Sequence, residues 1–252
     1  MPFELASSLA GHHLIPQPAD AALNPPEVYF YVQDGLMIAC GVLYALCYFF
    51  YATRTYKDKH LAGPVEYMST TLSYELYYAL ATTSTNLELA CFILWFLFDL
   101  AFVSVALLSA YPPGRRLGVI ARTAVLTIAF YFALQTLDSW FPSDRSQQTA
   151  FFIGVALQLP ISVGSVILLL RDKDVRGQSL EIWVTRCLGC WTAYGLFWWR
   201  WWNMSQNWGY VSDLWAESAI AVTLAAEAVW PGVYMWAWKK GQVEDRKMGK
   251  RE

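Results

Sequence analysis

Residues 87–110 read LELACFILWFLFDLAFVSVALLSA, and Glu88 and Asp99 are the charged residues in this stretch. About 20 mostly apolar residues are enough to cross the hydrocarbon core of a bilayer as one helix. Residues 149–170 form a second strongly apolar stretch. Across the 252 residues, 56% are hydrophobic and 15% are charged, whereas about a quarter are charged in a soluble domain. The composition therefore predicts an all-α protein that crosses a membrane several times.

Seven segments are candidate membrane spans, at residues 29–52, 64–82, 87–110, 117–137, 149–170, 180–202 and 214–238. Their short connections leave no room for a second domain. We therefore predict a single seven-helix transmembrane domain over residues 1–252, with tails at 1–28 and 239–252. The segment at 64–82 is the most polar of the seven. A polar helix is tolerated in lipid when its polar side faces protein or a water-holding cavity, so we expect this helix to line a cavity.

Basic residues are distributed unevenly between the two ends of the predicted helices. Fourteen lie at one end, within 54–59, 115–116, 171–176 and 239–251. Arg145 and Arg200 are assigned to the other end, and Arg122 and Arg186 fall inside predicted spans. Because basic loops stay in the cytosol, the C-terminus is predicted to be cytosolic and the N-terminus lumenal or outside. The formal net charge of −2 gives no reason to expect nucleic acid as a partner.

Three carboxyl groups fall near the middle of apolar segments: Glu75, Asp99 and Glu227. A charged side chain at that depth costs about 2.5–3.5 kcal/mol on insertion scales. Such groups turn inward in a compact bundle, where they either tie helices together by hydrogen bonds or form a functional site. Burial favours the neutral form of a carboxyl, which can donate a proton, while a second acid orients it or takes a proton later. We therefore predict that these three residues are catalytic.

Aromatic side chains are abundant, with 13 Trp and 15 Tyr. Some lie too deep for an interfacial belt, and the same rings would serve in ordinary packing. Ring faces attract a cation by about 0.5–2 kcal/mol each, so an apolar cavity that holds an acid and aromatic rings suits carbocation chemistry. The predicted substrate-binding residues are Tyr74, Tyr78, Trp95, Trp191, Tyr194 and Trp230.

Several kinds of site are absent from the sequence. No predicted span contains lysine, which excludes a retinal Schiff base, and no glycine-rich phosphate loop is present. No DDxxD cluster could hold magnesium on a diphosphate. The three histidines lie outside the spans, so a histidine-based zinc site or a Ser-His triad is not expected. These absences predict a site without a metal or a cofactor.

Four groups of short motifs follow one another along most of the chain. They are YKDK at 56–59 with Pro64 and YELYYAL at 74–80, WFLFD at 95–99, Arg171 with RGQS at 176–179 and Gly189, and EAVW at 227–230. Their order resembles the motifs "DK…P…WE..YA", "W…D", "R…RGQS…G" and "D..Y" of fungal integral-membrane terpene cyclases of the paxilline and pyripyropene type. Two positions depart from that pattern, since Tyr74 stands for a tryptophan and Glu227 for an aspartate.

The resemblance implies an enzyme of meroterpenoid biosynthesis that cyclises an epoxidised prenyl chain carried on an aromatic, pyrone or indole group. A carboxylic acid protonates the epoxide, alkenes of the chain attack the cation, and deprotonation or capture by a nucleophile ends the reaction. The two key acids of the family correspond to Glu75, the leading candidate for the proton donor, and Glu227, with Asp99 in support. The resemblance implies as partners a lipophilic epoxyprenyl substrate, membrane lipid, and an upstream prenyltransferase and epoxidase. It implies the endoplasmic reticulum membrane as the location.

Two other classes of protein share seven helices and this orientation. A receptor or sensor would bind a ligand without turnover, but YPPGRR at 111–116 stands where an Asp–Arg–Tyr motif would be expected. A proton-coupled carrier of small molecules would use the same buried acids for transport. Flux across sealed vesicles would distinguish a carrier from an enzyme.

Overall fold

The computed structural model of the chain describes residues 13–14, 17–83, 86–140 and 146–248, and within these ranges every regular element is a helix. The α-helices in chain order are α1 (Pro18–Ala21), α2 (Glu27–Asp58), α3 (Val65–Ala81), α4 (Asn86–Ser109), α5 (Pro113–Ser139), α6 (Ser146–Asp172), α7 (Leu180–Asn203), α8 (Ser205–Trp208) and α9 (Leu214–Met248). A 3₁₀ turn at Gly209–Ser212 precedes α9. The seven long helices coincide with the seven predicted segments, which confirms the all-α fold.

Five of the long helices are long and apolar enough to cross a membrane. These stretches are Glu27–Asp58, Glu88–Ser109, Pro113–Ser139, Gln147–Asp172 and Leu214–Gly241. The other two, α3 and α7, carry more polar side chains along their length. That all seven helices span the membrane therefore stays a prediction.

The polar side chains of α3 divide between two faces. On one face, the Ser73 hydroxyl donates to the carbonyl of Thr127 at 2.8 Å, or to that of Ser69 in its own helix at 2.6 Å. The hydroxyl of Ser69 lies 3.4 Å from the carbonyl of Thr123. This face therefore packs closely against α5. The other face carries Glu75 toward the interior, so half of the polar pattern joins helices and half lines a cavity.

The long helices pack around one interior space. Helix α2 lies against α7 on one side and α4 on the other, α3 lies against α4 and α5, and α6 lies against α9. The inner faces of α2, α3, α4, α6 and α7 are left to enclose a cavity. Helices α5 and α9 lie behind this ring.

The described residues of the two predicted tails include helices that the sequence pattern did not reveal. Helix α1 buries Asp20, whose carboxylate accepts hydrogen bonds from Tyr29 Oη at 2.6 Å, Asn207 Nδ2 at 2.8 Å and Trp208 Nε1 at 2.9 Å. At the other end, α9 continues as a helix to Met248, beyond the predicted boundary at 238. The described part of residues 1–28 thus packs on the bundle.

From the sequence, Arg200 was counted at the end of the helices opposite most of the basic residues, within the predicted span 180–202. The residue is buried in the last turn of α7. Its Nε donates to Gln33 Oε1 at 2.8 Å, and its guanidinium lies 4.4 Å from the ring centroid of Trp208. Arg145, the other basic residue assigned to that end, lies outside the described residues.

Candidate active site

A cavity of about 220 Å³ lies among the inner helices. Most of its wall is apolar or aromatic, and the loop between α2 and α3 closes part of one end with residues 61–64. Its polar groups come from five different helices, α2, α3, α4, α6 and α7. Such a mixture of apolar wall and few convergent polar groups is typical of sites for small lipophilic molecules.

Glu75 lies in this wall and is 2% exposed. One of its oxygens, Oε1, accepts a hydrogen bond from Tyr48 Oη at 2.5 Å, whereas Oε2 has no hydrogen-bond partner among the described residues. A buried polar atom without a partner is costly and needs an explanation in function. Glu75 therefore has one oxygen fixed by a tyrosine and one available to a bound molecule.

Asp99 of α4 shows the same division. Its Oδ2 accepts a hydrogen bond from Thr71 Oγ1 at 2.9 Å, while its Oδ1 is buried without a partner in the part of the chain that the structure describes. The Asp99 carboxyl lies close enough to Glu75 for the two groups to interact electrostatically. The structure thus brings together two of the three predicted catalytic acids, each with one bare oxygen.

Glu227 is differently placed, because it lies on α9 outside the cavity wall. Its carboxylate forms an ion pair with Arg186, which donates from Nε to Oε1 at 2.7 Å and from Nη2 to Oε2 at 3.1 Å. Ser162 Oγ also donates to Oε1, at 2.6 Å. Both oxygens of Glu227 are therefore occupied, and Arg186 is the residue of this pair that reaches the cavity. The structure therefore does not place Glu227 in the cavity wall beside Glu75 and Asp99.

The predicted substrate-binding rings also divide. Tyr74, Trp95 and Tyr194 line the cavity. Tyr78 is buried behind Tyr74, with ring centroids 4.9 Å apart. Trp191 departs from the prediction because its side chain points outward and is 51% exposed.

Trp230, the remaining predicted ring, is fully buried behind the ion pair. It stacks between Trp183 and Tyr234, with centroid separations of 6.1 and 4.8 Å. The guanidinium of Arg186 lies 5.8 Å from its ring centroid. Trp230 therefore supports Arg186 from behind and is not part of the described cavity wall.

Sequence reasoning missed a row of tyrosines on α2. Tyr44, Tyr48 and Tyr51 all line the cavity, and their spacing of four and three residues places them on one helix face. Tyr48 contacts Glu75, while the Tyr51 hydroxyl accepts from Arg186 Nη1 at 2.8 Å. The i, i+4, i+7 spacing could have revealed this row, and the position of Arg186 inside an apolar segment could have revealed the ion pair.

The loops with the YKDK and RGQS motifs meet beside the cavity. Asp58 Oδ2 accepts a hydrogen bond from the Gly177 backbone N–H at 2.7 Å and pairs with Arg54 Nε at 2.7 Å. Gly177 has φ +74°, and a Cβ there would lie 2.9 Å from both His60 O and Ala62 N. Glycine is required because both the backbone angle and the space exclude a side chain. These motifs fix the loop that closes the cavity.

Comparison with known proteins shows a family whose members are membrane-bound terpene cyclases. The family model for Pyr4-like transmembrane terpene cyclases matches residues 19–240. A Pyr4-family terpene cyclase, mfmH, from Annulohypoxylon moriforme is 25% identical, over 90% of this chain and 96% of its own. The terpene cyclase macJ from Penicillium terrestre is 23% identical, over 84% of this chain and 86% of its own. No solved structure matches the chain.

The family match spans most of the chain, and it includes α3, α4 and α7, which carry Glu75, Asp99 and Arg186 in the cavity wall. The family, the apolar helices and the buried acids agree on a membrane enzyme that cyclises terpenoid substrates. The chain belongs to the Pyr4-like transmembrane terpene cyclases.

Proposed function

We propose that this cyclase starts the reaction by protonating an epoxide on a prenyl chain with the carboxylic acid of Glu75. The observation that carries the proposal is the bare Oε2 of Glu75 in an apolar, aromatic cavity. A buried carboxyl with no cation partner favours its neutral form, and neutral acids are proton donors. Tyr48 holds Oε1, so the proton is carried by Oε2.

The proposed step balances without a co-reactant. The proton of Oε2 moves to the epoxide oxygen, one carbon–oxygen bond breaks, and the oxygen becomes a hydroxyl group. The electron pair of a chain alkene forms the first ring bond to the cationic carbon. Two neighbouring carboxyl groups do not both ionise, because like charges repel. In this proposal Asp99 therefore helps Glu75 to keep its proton before the reaction. Loss of a proton or capture by a nucleophile ends the cascade.

Glu227 and Arg186 have a different role in this proposal. Because Arg186 and Ser162 occupy both oxygens of Glu227, Glu227 does not donate the first proton. The positive charge of Arg186 in the cavity wall would repel a developing cation, and the carboxylate of Glu227 neutralises that charge. The ion pair therefore positions polar groups, and Tyr74, Trp95 and Tyr194 present ring faces to the cation.

The substrate class and location follow from the same proposal. A lipophilic epoxyprenyl compound on an aromatic, pyrone or indole group would reach the cavity from the lipid. We propose that all seven long helices form one transmembrane domain in the endoplasmic reticulum. Most of the basic residues lie at one end of the helices, and such residues stay in the cytosol. The N-terminus, at the other end, would therefore be lumenal. An upstream prenyltransferase and epoxidase would supply the substrate.

The test uses membranes that contain the full chain, an epoxyfarnesyl-aromatic substrate, EDTA and D₂O. We expect cyclic product in the presence of EDTA. Protonation of the epoxide puts solvent deuterium on oxygen, from which it exchanges during work-up in H₂O. The product should therefore carry no deuterium on carbon.

Two results would contradict the proposal. Loss of turnover in EDTA that added metal restores would require a metal in the reaction. One deuterium retained on carbon would show that an alkene, and not the epoxide, takes the proton. A third comparison uses Glu75→Gln, and its matched control is Glu217→Gln, which removes an exposed carboxyl in the first turn of α9.

A further inference from the structure

We infer that Tyr44 and Gln158 form a second polar subsite in the cavity, which binds a neutral hydroxyl group. The inference rests on the proposed function, because that hydroxyl belongs to the head group of the substrate or to a water molecule in the same cavity. Both residues line the cavity wall. Neither corresponds to the predicted acids or aromatic residues.

The subsite is one end of a hydrogen-bond chain across three helices, α2, α6 and α9. Tyr44 Oη donates to Gln158 Oε1 at 3.1 Å, and Gln158 Nε2 donates to Ser162 Oγ at 3.0 Å. Ser162 Oγ then donates to Glu227 Oε1 at 2.6 Å. Every donor in the chain points toward the carboxylate of Glu227. The direction of each hydrogen bond is thus set by a group outside the cavity.

This direction decides what the two cavity residues can offer a ligand. The amide nitrogen of glutamine has two N–H donors, and Ser162 uses one of them. The hydroxyl oxygen of Tyr44 has lone pairs, of which one faces the Cys190 sulfur at 3.4 Å. One donor and one acceptor therefore remain side by side. A hydroxyl group, which both donates and accepts, is complementary to this pair.

The subsite also favours a neutral ligand. The negative charge of Glu227 is balanced by Arg186, which is 2% exposed and forms two hydrogen bonds to it. No net charge is therefore left to attract an ion to Tyr44 and Gln158. An ionised group would lose its hydration in an apolar cavity without compensation. A neutral hydroxyl needs only the two hydrogen bonds that the subsite supplies.

Gly189 of α7 fixes the position of the Tyr44 ring. A Cβ at Gly189 would lie 2.9 Å from Cε2 and 3.0 Å from Cδ2 of that ring, so an alanine would displace the tyrosine. Gly195 is on the same helix, and a Cβ there would meet Leu36 at an ordinary distance of 3.8 Å. Gly189→Ala and Gly195→Ala are therefore a matched pair that separates loss of the subsite from a general effect of alanine in α7.

The experiment compares two substrates, an epoxyprenyl phenol and its O-methyl ether, with the full chain in membranes made in H₂¹⁸O. Two readouts are recorded for wild type, Gln158→Leu, Tyr44→Phe and the glycine pair. They are the ratio of kcat/KM for phenol over ether and the ¹⁸O content of the product. Loss of one neutral hydrogen bond corresponds to about a two- to tenfold change.

A head-group hydroxyl in the subsite predicts a wild-type ratio of about two to ten that falls to near one in Gln158→Leu, Tyr44→Phe and Gly189→Ala. A bound water predicts ¹⁸O in the wild-type product that is lost in the same variants. Gly195→Ala keeps the wild-type values in either case. The inference is overturned if neither readout differs between wild type and Gln158→Leu. Failure of wild type to convert either substrate overturns the proposed function, and the subsite with it.

Discussion

The sharpest energetic prediction concerns the buried ion pair of Arg186 and Glu227, whose side chains are 2% and 1% exposed. Removing one partner of such a pair leaves an unpaired charge in a medium of low dielectric, at a cost of about 3–5 kcal/mol. We expect Arg186→Met and Glu227→Gln each to lose stability of that size. The double variant should lose no more than either single variant, because it leaves no unpaired charge.

The assay is reversible unfolding in mixed detergent and lipid micelles titrated with SDS, followed by circular dichroism. The structure gives two charge-assisted hydrogen bonds between the pair, each worth about 1.5–3 kcal/mol. We therefore expect a coupling free energy of at least ~2 kcal/mol, within the range for residues in contact.

The exposed pair of Arg171 and Asp172, at 2.6 Å, is the matched control and should show no measurable coupling. The reasoning is refuted if the two single effects at Arg186 and Glu227 add within about 0.5 kcal/mol. In that case Glu227 would not be held as the carboxylate of an ion pair, and its exclusion as a proton donor would lose its basis.

Three further predictions concern single side chains. Gly177→Ala should cost roughly 1–3 kcal/mol in the same unfolding assay because of its φ of +74°, whereas Gly118→Ala, with open space around it, should stabilise α5 by about 0.5–1 kcal/mol. Ser73→Ala should cost about 0.6 kcal/mol, the average for a hydrogen bond between membrane helices; no loss would show that this serine does not join α3 to α5. Gly154→Ala puts a Cβ 2.9 Å from Tyr74 Oη and should change the ratio of cyclic products measured by mass spectrometry, and an unchanged ratio would mean that Tyr74 does not shape the substrate.

Five of the seven long helices could be predicted from the sequence because their length and apolar composition specify them. Each long helix overlaps a predicted segment, and the polar segment at 64–82 became a helix with a cavity face, as α3 shows with Glu75. The boundaries were less predictable, because polar residues can extend a helix beyond the membrane. Helix α9 continues through charged residues to Met248, where hydropathy gives no signal.

The site was predictable to the level of residue type and depth. Glu75 and Asp99 share a cavity as expected from their depth, but depth does not specify which way a helix faces. Trp191 therefore points outward, and Glu227 lies behind the wall. The partner of Glu227 depends on the side chain that the neighbouring helix presents, which is Arg186. That pairing is a property of tertiary packing and could not be read from either segment alone.

Buried charges illustrate the same point at the other end of the bundle. Arg200 follows Trp198 and Trp199 near the end of the predicted span 180–202, and the sequence did not indicate that it is buried. Its partners Gln33 and Trp208 come from distant parts of the chain. A count of charges along the sequence does not reveal such partners.

Glu75 is the proposed proton donor of the reaction. The decisive measurement is the single-turnover rate of cyclisation by purified Glu75→Gln in lipid, compared with wild type and with Glu217→Gln. Loss of a general acid lowers the rate by about 10²–10⁴-fold, so we predict a fall of at least ~100-fold for Glu75→Gln and a wild-type rate for Glu217→Gln. A wild-type rate from folded Glu75→Gln would contradict the account and assign the first proton to another group.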